Sequence, residues 1–170
     1  MGRPNPADFE SETTGVTPES GAQNSHSTGP PIMRLSVPAV FSSLRTLGMA
    51  LRLYTQQCYS ELAEGKEAHD LRLATQEACT NIIEHSVREN PSARIHFVME
   101  DLCGGLSVQI QDQGPPFDPT NPLANPPSPH DLAEGGYGLF LINTLVDEIH
   151  YETYNDWNTL TLVKKWKETT

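Results

Sequence analysis

The stretch Gln76-Glu77-Ala78-Cys79-Thr80-Asn81-Ile82-Ile83-Glu84-His85 lies within a helical pattern that runs from about Lys66 to Arg88. Apolar residues recur there at three- and four-residue steps, which predicts one buried stripe. The stripe consists of Leu71, Ala74, Ala78 and Ile82. Glu77 and Asn81 lie on the neighbouring polar arc and, being four residues apart, project from the same side of the helix. They can address one ligand together, or they form an ordinary exposed polar face.

A second polar segment follows a strand-like alternation of apolar residues, Leu106, Val108 and Ile110. It reads Asp112-Gln113-Gly114-Pro115-Pro116-Phe117-Asp118-Pro119. An ionised Asp112 at a strand end can accept a hydrogen bond from the amino group of adenine. Gly114 lacks a side chain that would crowd a purine. The Asp, Gly and Pro residues of the segment are also typical of a turn. A turn alone does not explain the irregular stretch that continues to Gly136.

The third segment, Gly135-Gly136-Tyr137-Gly138-Leu139, opens a helix predicted from about Tyr137 to Val146. The start of a helix is suited to binding phosphate, because its first N–H groups are free and the positive end of the helix dipole lies there. Magnesium usually takes only one or two ligands from protein, so the amide oxygen of Asn81 is sufficient. Glu77, one turn earlier, can orient or deprotonate an attacking hydroxyl or water. Together the three segments predict an ATP–magnesium site without a P-loop.

The loop before these glycines is rich in proline. From Pro115 to Pro129, seven of fifteen residues are proline. An irregular loop of this length inside a compact domain is usually functional or disordered. Its position predicts a lid over bound nucleotide, whose range of shapes the prolines restrict.

The remaining periodicities predict the rest of the fold. Met33–Val37 alternates as a strand, and Pro38 suits the first turn of a helix whose apolar side runs from Phe41 to Cys58. Further strands are predicted at Ala93–Met99, Leu106–Gln111, Glu148–Tyr154 and Thr159–Trp166. These elements indicate an α+β, two-layer sandwich, with a mostly antiparallel mixed sheet and helices on one face.

The domain is expected over residues 32–170, after a tail of different composition. Residues 1–31 hold five prolines and, besides Met1, a single large apolar side chain, Phe9. So little apolar surface cannot offset the entropy of ordering the chain, so the tail is predicted to be disordered. A regulatory or partner-binding arm is the alternative.

Charge and cysteine content restrict the function classes. A formal net charge of −11 argues against direct binding to nucleic acid or acidic membranes, and favours a protein partner with a basic face. The three cysteines, Cys58, Cys79 and Cys103, lack a CxxC pattern, so neither a disulfide scaffold nor a zinc site is expected. The expected compartment is therefore a reducing cytoplasm. No apolar run reaches the roughly 18 residues of a membrane span, and Met1–Asn5 does not continue into a signal core.

The motifs together resemble a known superfamily. Glu-x-x-x-Asn, Asp-x-Gly-x-Pro-Phe and Gly-x-Gly-Leu, in this order of elements, look like the Bergerat-fold (GHKL) ATPases. Residues 76–85 and 136–142 are similar, more narrowly, to the bacterial anti-sigma-factor serine kinases, over about Met33 to Lys165. Proteins of that family bind Mg-ATP, restrain a sigma factor, and phosphorylate a serine on a STAS-type antagonist that competes for it. The resemblance also implies a homodimer through the first strand and helix.

The resemblance implies a role for each motif residue. Glu77 would be the catalytic base, Asn81 the magnesium ligand and Asp112 the adenine anchor. Further nucleotide contacts are implied at Gly114, Phe117, Gly135, Gly136, Tyr137, Gly138 and Leu139, with a pocket-edge hydrogen bond from His85. Thr159 matches a threonine that the superfamily often places beside the adenine aspartate. Asn158 stands where glycine is common, a departure that asparagine's tolerance of left-handed backbone would accommodate.

One departure concerns catalytic charge. From Ile95 to Val163 the chain has no Lys or Arg but ten acidic residues, and Ala133-Glu134 stands where relatives often have a basic residue. Because a cation stabilises the transferring phosphoryl group, we expect ATP binding with slow or partner-dependent transfer, with Arg72 or Arg88 as possible substitutes. A serine kinase and an ATP-regulated binding module both stay open. A detached histidine-kinase domain is disfavoured by the short lid and the lack of a histidine-bearing helical hairpin.

Overall fold

The computed structural model describes residues 32–86, 90, 92–116 and 137–166. The described elements are β1 (Ile32–Pro38), α1 (Ser43–Cys58), α2 (Lys66–Asn81), β2 (Arg94–Asp101), β3 (Gly105–Asp112), α3 (Tyr137–Leu145), β4 (Glu148–Tyr154) and β5 (Trp157–Lys165). The predicted tail, residues 1–31, and residues 117–136, which include most of the predicted lid, lie outside the described residues.

The five described strands form one sheet in the order β1-β2-β3-β5-β4. Every pairing between them is antiparallel. The predicted α+β class and mostly antiparallel sheet are therefore confirmed, while the predicted mixed character has no counterpart among the described strands. The β3–β5 register sets Asp112 opposite Asn158 and Gln111 opposite Thr159.

The hydrophobic core lies between the sheet and the three helices. β3 contributes every second residue to it, Leu106, Val108 and Ile110, each at most 1% exposed. The predicted stripe of α2 is confirmed, since Leu71, Ala74, Ala78 and Ile82 are all buried. Burying a large apolar side chain contributes roughly 1.5–3 kcal/mol, and this burial fixes which face of α2 is left for polar residues.

The first helix begins later than predicted. Pro38 ends β1, opposite Arg94, and α1 begins only at Ser43, after a turn in which the N–H of Val40 donates to the carbonyl of Pro38. β1 is an edge strand among those described, and proline is tolerated there because it need not donate to the ladder. Phe41, predicted on the apolar side of the helix, lies before α1 and is 55% exposed.

The second helix changes form where the polar arc ends. The α-helix stops at Asn81, and Ile82–Ser86 continue it as a turn of π-helix. The predicted end at Arg88 falls within residues 87–89, which are not described. A π-turn is wider than an α-turn and is found frequently at functional sites. It changes the direction of the side chains that follow Asn81.

A buried lysine fixes the far end of α3. Lys164 of β5 is 7% exposed, and its Nζ donates to the carbonyl oxygen of Leu145 at 2.8 Å. The same Nζ lies 3.8 Å from Oδ2 of Asp70 and 3.7 Å from Oδ2 of Asp147. A cation at a helix C-terminus complements the helix dipole. The contact ties α3 to α2 and β5, which positions the opposite end of α3.

Candidate functional site

The start of α3 lies against the polar arc of α2. A Cβ built on Gly138 would be 3.0 Å from Oε2 of Glu77 and 3.6 Å from Oδ1 of Asn81. Gly138 is buried, whereas both α2 side chains are partly exposed. The first N–H groups of a helix have no partner within that helix. The cluster therefore combines a helix start suited to phosphate with a carboxylate and a carboxamide.

The second part of the site is the carboxylate of Asp112. It shares the helix-facing side of β3 with Ile110 and is 4% exposed. Its Oδ1 accepts hydrogen bonds from the N–H of Gly114 at 2.7 Å and from Nδ2 of Asn158 at 3.1 Å. Among the described residues both bonds go to Oδ1, which leaves Oδ2 to accept from a ligand.

The environment of Asp112 also shifts its protonation. Burial raises the pKa of this carboxyl above its ordinary value, because removal from water disfavours the charged form. The hydrogen bonds from Gly114 and Asn158 stabilise the charged form and partly oppose that effect. Asp112 is thus a preorganised acceptor that titrates at a higher pH than an exposed aspartate.

Asn158 binds Asp112 directly, a contact that the sequence did not predict. Besides donating to Asp112, its Nδ2 donates to the carbonyl of Gly114 at 2.9 Å, and its Oδ1 accepts from the hydroxyl of Tyr151 at 3.1 Å. Its backbone is not left-handed, so the conformational reason given for this asparagine was wrong. The tight Asn155-Asp156 turn between β4 and β5 has φ of 47° and 63°. A two-residue turn of this kind fixes the register of the two strands that it joins, so it is the signal in the sequence that could have indicated where Asn158 lies.

Thr159 lies on the other face of β5. Its hydroxyl accepts a hydrogen bond from Nε2 of Gln111 at 3.3 Å, and the register pairs it with Gln111 rather than with Asp112. Side chains alternate between the faces of a strand, so Asn158 and Thr159 point in opposite directions. The structure does not bring Thr159 together with the adenine aspartate as the resemblance implied.

The other predicted contacts are placed unevenly. Leu139 packs partly buried against the core, while Tyr137 is 46% exposed, with its ring 6.0 Å from that of Phe140. His85 lies on the π-turn with a largely exposed side chain, 3.9 Å from the carboxylate of Glu84. The predicted contacts Phe117, Gly135 and Gly136 lie outside the described residues.

The close approach at Gly138 gives a first prediction. We expect Gly138→Ala to lower ATP affinity about tenfold, since its methyl group takes up space between the start of α3 and Asn81, the proposed magnesium ligand, yet to keep thermal stability because alanine favours a helix. Calorimetric titration and a thermal melt measure both effects. Gly48→Ala in α1 is the matched control, because its Cβ meets nothing within 4 Å. Equal affinities for the two variants would contradict the close contact.

None of the described helices combines the length and apolar character needed to cross a membrane. All three cysteines are free thiols, with Cys79 buried and Cys103 exposed. Burial raises the pKa of Cys79, so this thiol is kept uncharged inside the core.

Part of this chain is similar in sequence to known proteins. The chain is 36% identical over 90 residues to the serine-protein kinase RsbW of Halalkalibacterium halodurans, covering 49% of this chain and 54% of that protein. It is 34% identical over 94 residues to the serine/threonine-protein kinase BtrW of Bordetella bronchiseptica, covering 54% and 66%. The match thus spans between about half and two thirds of the length of these relatives.

A fold comparison adds a weaker likeness. A chain in the crystal structure of the SiaB-SiaC complex from Pseudomonas aeruginosa is 17% identical, with a TM-score of 0.49 over 78% of this chain and 88% of its own. Much stronger is the match of residues 40–164 to the family model of the histidine kinase-like ATPase domain, a range that includes β2, β3, β4 and all of β5 except Lys165. The chain belongs to the family of histidine kinase-like ATPase domains.

Proposed function

We propose that this protein is an ATP-dependent serine/threonine protein kinase that acts as an anti-sigma factor. It binds Mg-ATP, phosphorylates a serine of a STAS-type antagonist, and sequesters a sigma factor when the antagonist is phosphorylated. The observation that carries the proposal is the close approach of Gly138 to Glu77 and Asn81, because it joins two of the three motif segments at one place. The relatives that are named as serine kinases support the reaction type.

The adenine end of the site fits an adenine nucleotide. Asp112 has its Oδ1 engaged by Gly114 and Asn158, so Oδ2 is the oxygen that would accept from the adenine amino group. Because two donors already hold this aspartate in place, binding the ligand costs little further conformational entropy. Phe117, Gly135, Gly136, Tyr137 and Leu139 are proposed to complete the nucleotide contacts, and His85 to bond at the edge.

The phosphate end fits magnesium and a protein hydroxyl. Asn81 would hold Mg²⁺ through Oδ1, and the metal supplies charge neutralisation of the phosphates. Glu77 would accept the proton of the attacking serine hydroxyl as its oxygen bonds to the γ-phosphorus. The bond from that phosphorus to the bridging oxygen then breaks, and ADP leaves with the electron pair.

Catalytic charge is the weak part of this site. Arg72, one of two substitutes expected from the sequence, donates from Nη1 to the carbonyl of Ala63 at 2.9 Å, in a groove between α1 and α2. Arg88, the other, is not described. The absence of Lys and Arg between Ile95 and Val163 favours a second candidate, an ATP-regulated binding module with weak or no transfer.

Other parts of the proposal rest on the sequence. The partners are a sigma factor and its antagonist, with no direct contact to nucleic acid or membrane, and a homodimer is proposed through β1 and α1. The free thiols fit a reducing cytoplasm.

The test is transfer to a partner. The full chain is incubated with γ-labelled ATP, Mg²⁺ and antagonist proteins encoded near its gene, and phosphoserine is located by mass spectrometry. We expect one labelled serine, formed slowly by this chain and lost with Asn81→Ala or without Mg²⁺. A tight complex without transfer would favour the binding module, and neither transfer nor a complex would reject both.

A further inference from the structure

A basic groove lies on the outer side of α1 and α2, apart from the proposed nucleotide site. It has a volume of about 420 Å³, and its lining includes Arg45, Arg52 and Arg72. Glu64 and His69 are its other ionisable residues. Three of the chain's eleven Lys and Arg residues thus line one groove. On a protein with a formal charge of −11, this concentration of positive charge marks an anion-binding surface.

The charges of the groove are only partly satisfied. Arg52 pairs with Glu64 at 2.7 Å, but both side chains are 61% exposed, where such pairs contribute little. Arg72 donates to the backbone oxygen of Ala63, which leaves its positive charge unneutralised by that bond. Arg45 is exposed and has no hydrogen bond or ion pair with any residue in the described ranges. An occupant with several carboxylates would complement this arrangement.

The groove also offers an apolar contact. Met49, at its rim, is 56% exposed, and Gly48 beside it leaves open space where a side chain would stand. Leu73 lines the α2 side. Methionine adapts to irregular partners and makes favourable contacts with aromatic rings. The occupant that fits best thus carries acidic groups around one aromatic side chain.

The chain itself contains such a segment. Asp8-Phe9-Glu10-Ser11-Glu12 has three carboxylates and no basic residue, and Phe9 is the one aromatic residue among residues 1–31. About twenty residues join Glu12 to Ile32, a contour length of roughly 66 Å at about 3.3 Å per residue. β1 spans only about 23 Å by its seven residues, and α1 follows it directly. The segment can therefore reach the groove of its own chain.

We propose that residues 8–12 dock in the groove between α1 and α2, with Phe9 against Met49 and the carboxylates against Arg45 and Arg52. Because the segment and the groove belong to one chain, the connecting residues keep the effective concentration of the segment at the groove high. The groove extends to Gln76, the residue before Glu77.

Photo-crosslinking of the full chain tests this proposal without depending on ATP binding. Phe9 is replaced by benzoylphenylalanine, the protein is irradiated, and crosslinked peptides are mapped by mass spectrometry. We expect crosslinks within one chain to peptides containing Met49 or Leu73, several-fold more than from benzoylphenylalanine placed at Val16 in the same tail. Higher salt should reduce the yield, because the contacts between exposed charges are screened.

Charge reversal separates docking from chance contact. Arg45→Glu with Arg52→Glu should abolish the crosslink, and adding Glu10→Arg with Glu12→Arg should restore it. Arg34→Glu with Arg94→Glu, two exposed arginines on β1 and β2, is the matched control and should leave it unchanged. Thermal melts confirm that each variant is folded. Equal yields from positions 9 and 16, crosslinks elsewhere or between chains, or persistence after charge reversal would overturn the proposal.

Discussion

Glu77→Gln is expected to reduce phosphoryl transfer to the antagonist by about 10²- to 10⁴-fold, while ATP still binds. The substitution keeps the size of the side chain at its contact with Gly138 but removes the carboxylate that accepts the serine proton. Labelled-phosphate transfer at saturating ATP measures the rate, and calorimetric titration measures affinity. A loss confined to the rate identifies Glu77 as a base rather than as a binding group.

The matched control for Glu77 lies in the same helix. Glu67→Gln makes the same chemical change in the first turn of α2, ten residues before the polar arc, and should leave transfer within about twofold of the original rate. If Glu77→Gln transfers phosphate as fast as Glu67→Gln, the base is another group. If the sigma factor is also still held normally by Glu77→Gln, catalysis and partner binding are separate properties of the chain.

Asp112→Asn is expected to weaken ATP binding by about 10- to 100-fold, which corresponds to losing one hydrogen bond to a charged acceptor. Asparagine also presents NH₂ where the adenine amino group must donate, so two donors face each other. Calorimetric titration with ATP measures the loss. Asp156→Asn is the matched control, because it makes the same change at an exposed turn residue with positive φ, which asparagine tolerates. Similar affinities for both variants would refute the role of Asp112.

The raised pKa of Asp112 gives this variant a pH signature. Nucleotide binding needs the carboxylate, so affinity should fall on acidification at a higher pH than an exposed aspartate would cause. The effect on the free energy of unfolding has the opposite sign. Because the pKa of Asp112 is higher in the folded state than in the unfolded state, this residue stabilises the fold at acid pH. That stabilisation is lost as the pH rises through the pKa of the folded state. Asp112→Asn should remove both dependences. An unchanged pH profile would assign the titration to another group.

The sequence predicted the elements that periodicity determines. The stripe of α2 and the alternation of β3 follow from one buried face each, and burial is the dominant contribution to folding. Those two elements were enough to place Glu77 and Asn81 on one arc and Asp112 at a strand end. The contact of α3 with that arc was expected only from the order of the motifs, since no local pattern specifies which helices pack together.

The errors concern details that tertiary contacts decide. Pro38 suits a helix start by its own geometry, but the edge of the sheet accepted it as the last residue of β1. The π-turn after Asn81 has no propensity signal that would distinguish it from an α-helix. The prediction for Asn158 concerned its backbone conformation, whereas its side-chain amide is the group that holds Asp112 and Gly114. Strand register, which composition does not reveal, placed Thr159 on the opposite face.

The claim that Glu77, Asn81 and Asp112 form one adenine nucleotide site is tested most directly by calorimetric titration of the full chain with ATP and GTP, with and without Mg²⁺. We predict one ATP per chain, tighter with Mg²⁺, and at least about tenfold weaker GTP, because guanine presents a carbonyl oxygen where Asp112 needs a donor. Asn81→Ala should remove the Mg²⁺ dependence and keep the preference for adenine. No heat with ATP, or equal affinity for ATP and GTP, would contradict this account.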